Sequence, residues 1–153
     1  MSDDEKYIKK TFALAKKGLS WTNPNPLVGV VLVKNNKIVS RGYHHKFGGL
    51  HAEADAFKNY KEDPRGTTLY VNLEPCSHFD KNPPCADLVI RSGIKKVVCS
   101  TADPNPKVKG AGIKKLKKAG IEVVVGVLEK EARKINEAYF TFHQKNRPFI
   151  RHF

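Results

Sequence analysis

His51 and Glu53 stand two residues apart, and two cysteines follow, Cys76 directly after Pro75 and Cys85 directly after Pro83-Pro84. One imidazole nitrogen and two thiolates hold a zinc ion on three sides and leave its fourth position for water. Zinc lowers the pKa of that water from ~15.7 to about 7. The set therefore suits a hydrolysis near neutral pH in which an exocyclic amine is exchanged for oxygen. Glu53, which is not a ligand, would take the water proton and pass it to a ring nitrogen and then to the departing amine, acting as general base and acid in turn. Each motif alone has a bland reading, since His-x-Glu arises by chance and cysteines of a reduced protein are often small buried hydrophobes. Their joint occurrence favours metal ligation by His51, Cys76 and Cys85. Cys99, inside the apolar run Val97-Val98-Cys99, reads as core.

The elements around these residues must bring them to one place. A histidine and a glutamate two apart are rotated by roughly 200° on a regular helix. They share a cavity rim only at a helix start, so a helix is expected to open at His51 and run through Glu53, Ala54 and Phe57. Pro83-Pro84 suit the opening of a second helix. Cys85 then falls in its first turn, where the dipole and unpartnered amides favour a thiolate. Residues 67–73, rich in Thr, Tyr and Val, form a strand that delivers Glu74-Pro75-Cys76 to its end, and sites in α/β sheets lie at such ends. Residues 86–92 complete the Cys85 helix, Gly93 stops it, and 95–100 give the next strand.

The remaining elements frame that pair of steps. Residues 5–17 read as an amphipathic helix with Ile8, Phe12 and Ala15 on one face. Residues 27–33 are a buried strand, 34–37 a turn and 38–43 its hairpin partner. Between them, 21–26 is a loop ruled by prolines, in which each preceding residue is held out of the helical region. Trp21 is expected as a lid on the core. Residues 110–118 are a helix, 121–125 a strand, and 129–144 one final helix. Successive strand–helix–strand steps imply parallel pairing.

Zinc deaminases with this signature commonly separate their cysteines by two residues, whereas eight intervene here. That spacing comes with Leu73-Glu74-Pro75-Cys76-Ser77-His78 and Pro83-Pro84-Cys85, with Pro24-Asn25-Pro26-Leu27-Val28-Gly29 before them and Asp103-Pro104-Asn105-Pro106 after. Over about residues 13–148 the chain resembles the pyrimidine deaminase domain of bifunctional riboflavin-biosynthesis proteins. The resemblance implies an α/β fold, a three-layer α/β/α cytidine-deaminase-like sandwich around a mixed five-stranded sheet, with Zn2+ as cofactor. It implies hydrolysis of 2,5-diamino-6-(5-phosphoribosylamino)pyrimidin-4(3H)-one to 5-amino-6-(5-phosphoribosylamino)uracil and ammonia, in a homo-oligomer. By the same likeness Asn25 meets the pyrimidine, where the alternative is an asparagine tying a turn. His44 is a further substrate contact, or else a solvated loop histidine. Asp103 and Asn105 fall to the ribose-phosphate part, or else make a plain turn, and Lys81 adds a polar contact. Asn146-Arg147-Pro148-Phe149-Ile150 resembles the start of the reductase domain of that family. Residues 1–153 are thus read as a single deaminase domain without the reductase, which would act next as a separate protein.

Composition bounds these readings. With 153 residues, 40% of them hydrophobic, and a mean hydropathy of -0.48, the chain can bury the core of one domain. It holds no apolar run near the ~18 residues of a membrane span, and its cysteines suit a reducing, cytoplasmic setting. The net charge is +13. Lys107, Lys109, Lys114, Lys115, Lys117 and Lys118 lie within twelve residues that contain no acid, a stretch able to grip nucleic-acid phosphates. Deamination of another nucleobase, or of a base in RNA, is therefore the competing function. Against it, Ile113 and Leu116 are three apart with lysines opposite, the pattern of a solvated amphipathic helix, and aromatic residues for stacking bases are few. A positive surface also attracts a phosphorylated small molecule.

Overall fold

Ser2 starts the first helix earlier than periodicity alone predicts. Its hydroxyl accepts from the Glu5 amide at 3.1 Å while the Glu5 carboxylate accepts from the Ser2 amide at 3.1 Å, so two orphan donors of the first turn are satisfied reciprocally. Helix α1 accordingly spans Asp3–Lys16 and buries Tyr7, Ile8, Phe12 and Ala15. The computed structural model describes residues 1–77, 84–106 and 108–145.

Strands β1 (Gly29–Lys34) and β2 (Lys37–Tyr43) form the expected hairpin. Asn35 and Asn36 join them with φ of +52° and +60°, the left-handed pair that a two-residue turn between twisted strands requires and that asparagine tolerates. Helix α2 (Ala52–Asn59) follows, then β3 (Thr68–Val71), α3 (Cys85–Ser92), β4 (Lys96–Cys99), α4 (Ala111–Lys118) and β5 (Glu122–Val125). The sheet order is β2-β1-β3-β4-β5. β1 is antiparallel to both neighbours, while β3, β4 and β5 are parallel, with Leu69 beside Val97 and Val97 beside Val123. The two crossovers are α3 and α4, as the strand–helix–strand pattern anticipates.

The period-two alternation of the strands sorts the layers. Val30, Leu32, Leu69, Val71, Val97 and Cys99 pack with Ala52 and Ala56 of α2, Val89 of α3 and Leu116 of α4. Val31, Val33, Tyr70 and Val98 pack with Tyr7, Ile8 and Phe12 of α1 on the other side. The result is the three-layer sandwich with a mixed five-stranded sheet, and Cys99 is core as expected. A Cβ on Gly42 of β2 would strike the backbone of α2 at Ala52 and Ala56, so glycine lets that helix lie directly on the sheet. Among the described residues no helix is long and apolar enough to cross a membrane.

Two expectations fail. The final helix is not continuous: α5 (Glu129–Ile135) and α6 (Glu137–Lys145) are separated at Asn136. The side-chain amide of Asn136 is committed to the backbone of Leu27, accepting from its N–H at 2.7 Å and donating to its C=O at 2.8 Å. That bidentate grip fixes Asn136 at φ -107° and ψ 36°, outside helical geometry. Trp21 is not a core lid but 69% exposed, because the turn at 18–21 carries it outward, with its amide bonded back to Gly18.

Candidate active site

The carboxyl ends of β3 and β4 open onto a cleft of about 700 Å³. His51 is the N-cap of α2, in extended conformation at φ -69° and ψ 160°, and Glu53 is the second helical residue. The cap position stands outside the helical rotation, so His51 and Glu53 both line the cleft. Cys76 follows β3, and Cys85 is the first residue of α3, with Pro84 as its N-cap. His51 Nδ1 lies 3.2 Å from Cys85 Sγ and 3.6 Å from Cys76 Sγ, and all three donor atoms fall within 4.8 Å of one another. Ligands at zinc bond lengths on a tetrahedron would place nitrogen and sulfur about 3.6 Å apart, so this donor set fits that ion.

Cys76 also closes the start of α3. The Cys85 amide donates to Cys76 Sγ at 3.2 Å and the Ala86 amide to Cys76 O at 2.9 Å. The hydrogen bond from the Cys85 thiol, His51 and that amide together pull the Cys76 thiol down to about 4, while Cys85, bonded to Cys76 and buried, is pushed well up. Metal ligation by this pair would require both sulfurs as thiolates, so binding would release protons. Glu53 is buried, and desolvation, then the charge of Cys76, raise its carboxyl to about 7.

Asn25 and His44 meet on one wall. His44 is buried, its Nδ1 lies 2.8 Å from Leu50 O and its Nε2 3.2 Å from Asn25 Nδ2. A carbonyl only accepts, so Nδ1 carries the proton, and Nε2 of the neutral ring accepts from Asn25. Burial lowers the pKa of His44, as do His51 and His45 beside it. The His44 ring meets the His51 ring edge-on at 5.5 Å.

Asp103 and Asn105 also line the cleft, and Lys81 lies outside the described residues. Sequence reasoning missed Glu74 as an organiser of this part of the cleft. Its buried carboxylate accepts from the amides of Asp103 at 2.8 Å, Gly110 at 2.7 Å and Ile113 at 3.3 Å, tying the 103–113 segment to the residue two before Cys76. It missed Asn72 and Asn136 as well. Asn72 accepts from Gly29 N at 2.8 Å and donates to Leu27 O at 3.0 Å, so two buried side-chain amides hold the start of β1 beside Asn25. The break at Asn136 sets α6 along the cleft, with Tyr139, Phe142 and His143 among its lining. The exposed lysines of α4, Lys114, Lys117 and Lys118, are not among that lining.

A family model described as the cytidine and deoxycytidylate deaminase zinc-binding region matches residues 1–101. The riboflavin biosynthesis protein RibD of Aquifex aeolicus is 54% identical over 147 residues, covering 96% of this chain and 41% of that protein. A diaminohydroxyphosphoribosylamino-pyrimidine deaminase of Buchnera aphidicola subsp. Schizaphis graminum is 48% identical over 137 residues, covering 90% of this chain and 93% of that protein. Among solved structures, a diaminohydroxyphosphoribosylaminopyrimidine deaminase/5-amino-6-(5-phosphoribosylamino)uracil reductase of Thermotoga maritima superposes with a TM-score of 0.92 at 51% identity, over 96% of this chain and 43% of that one. The chain thus spans about two fifths of the Aquifex and Thermotoga proteins that it matches.

Proposed function

We propose, because the chain belongs to the cytidine and deoxycytidylate deaminase family defined by that zinc-binding region, that it deaminates 2,5-diamino-6-(5-phosphoribosylamino)pyrimidin-4(3H)-one in riboflavin biosynthesis. The products are 5-amino-6-(5-phosphoribosylamino)uracil and ammonia. The observation that carries the chemistry is the grouping of His51, Cys76 and Cys85 at two helix starts, with Glu53 facing the same cleft. The substrate follows from the names of the Buchnera and Thermotoga relatives, at about half identity. The reductase named beside the deaminase in the Thermotoga protein supports a reductase on the step that follows.

Zinc held by His51, Cys76 and Cys85 would supply the Lewis acidity that brings water to a pKa near 7. Glu53, buried at the cleft beside these residues, is the carboxylate placed to exchange protons with that water. It accepts a proton from water and delivers it to the ring nitrogen beside the amine-bearing carbon; it then takes the proton of the newly added hydroxyl and delivers it to the departing nitrogen, leaving a carbonyl. One C–N bond is broken, one C–O bond is formed, and ammonia leaves. His44 fixes the Asn25 amide by accepting one of its N–H bonds, so that the carboxamide meets the pyrimidine edge in one orientation. Asp103, Asn105 and Lys81 receive the ribose-phosphate end. The lysine face of α4 lies outside the described lining of the cleft, which favours a small phosphorylated substrate over RNA.

The test is ammonia release by the zinc-loaded protein on five compounds in parallel: the phosphoribosylated diaminopyrimidinone, its dephosphorylated form, cytidine, guanine and an adenosine-containing RNA hairpin. Turnover of the phosphorylated pyrimidine above all others is the expected result. Release from cytidine, guanine or the hairpin alone would overturn the substrate, and silence on all five would overturn the activity.

A further inference from the structure

Asp103 is held from two directions. Its backbone N–H is bound by Glu74, as above, and its carboxylate is reached from α6, where the Tyr139 hydroxyl donates at 3.0 Å to Oδ1 and 3.2 Å to Oδ2. Oδ1 also accepts from the Asn105 amide at 2.9 Å, which fixes the rotation of the carboxyl group. Burial, and then the neighbouring Asp103 charge, push the Tyr139 hydroxyl well above its ordinary range, so it stays a donor throughout the physiological range. Asp103 is itself buried yet lines the cleft together with Tyr139. A buried carboxylate whose rotation is fixed is a preorganised acceptor for hydroxyl groups, and preorganisation reduces what binding must spend on ordering.

We propose that Tyr139 is a specificity-determining positioning residue: its hydroxyl holds the Asp103 carboxylate in the orientation that accepts the hydroxyls of the ribosyl part of the substrate. The inference rests on the function proposed above. Tyr139 reaches Asp103 because the chain leaves helical geometry at Asn136, three residues earlier, where the grip on Leu27 sets the line of α6. An unbroken helix over 129–144 gives no reason for a tyrosine at this position to face the cleft.

The experiment compares zinc-loaded wild type, Tyr139→Phe, Asp103→Asn and the double variant in steady-state ammonia release. The substrates are the phosphoribosylated diaminopyrimidinone and the same pyrimidine without its ribosyl phosphate. Tyr139→Phe removes one oxygen and keeps the ring, and thermal melting checks the fold. The expected result is a KM for the phosphoribosylated compound raised roughly tenfold, the equivalent of one hydrogen bond to a charged group. The KM for the bare pyrimidine should change about twofold at most, with kcat on the phosphoribosylated compound similarly held. In the Asp103→Asn background the Tyr139 substitution should add little, because the two act as one unit. An unchanged KM, an equal rise for both compounds, or full additivity with Asp103→Asn would overturn the assignment. Failure of the wild type to turn over the phosphoribosylated compound would overturn the proposed function itself, and this inference with it, before any variant is compared.

Discussion

Glu53 is buried beside the candidate donor group, and burial, then the charge of Cys76, raises its carboxyl to about 7 with no ion bound. In the proposed reaction it is the group that both takes and gives a proton. Glu53→Gln keeps the volume and removes the exchange. It is expected to lower kcat by roughly 10²–10⁴-fold while zinc content, measured by atomic absorption, stays at the wild-type level. Loss of zinc together with activity would instead make Glu53 a metal-supporting residue. The candidate donor group and Glu53 were legible in the sequence because residue type and helix-start context are local properties: each of His51, Glu53, Cys76 and Cys85 is marked by residues within a few positions of it. Asn25 and His44 were named only through a family likeness, and the structure brings them within 3.2 Å of each other. Glu74 and Tyr139 were not legible, because what each does depends on partners 29 to 39 residues further on or 36 residues back.

The elements follow the same division. The β1–β2 hairpin and the two parallel steps are written in local alternation, turn residues and segment length, so they were readable. The break between α5 and α6 was not, since Asn136 sits in an otherwise helical stretch and its reason is Leu27, 109 positions earlier. Asn136→Ala removes both bonds to Leu27 and leaves a buried N–H without its partner. It should cost about 1–3 kcal/mol in urea denaturation, and an unchanged midpoint would mean that the clamp adds nothing. Gly112, on α4, faces a different constraint. A Cβ there would collide with the Pro75 carbonyl and come within 3.4 Å of a Glu74 oxygen, so Gly112→Ala must displace the backbone that leads to Cys76. A loss of about 1–3 kcal/mol is expected from such overpacking, together with weaker zinc retention in a chelator competition. Retention equal to wild type would show that the strain is absorbed on the α4 side.

At the scale of the molecule, the donor group joins three separate stretches: the start of α2, the loop after β3 and the start of α3. A ligand that binds only the folded arrangement stabilises it by about 4 kcal/mol at a thousand times its dissociation constant. Removing zinc with a chelator should therefore lower Tm by on the order of 10 °C for a chain of this size, and readdition should restore it. A Tm indifferent to the chelator would mean that the three stretches are already held by the sheet. The Leu27–Asn136 clamp has a consequence for synthesis. A ribosome working at about 5–20 residues per second delivers residue 136 roughly 5–20 s after residue 27, and for that interval the head of β1 lacks one of its two amide partners. Every residue that would hold the metal lies at or before Cys85. On the proposed function, the nascent chain could thus acquire its ion before α6 adds Tyr139, Phe142 and His143 to the lining of the cleft.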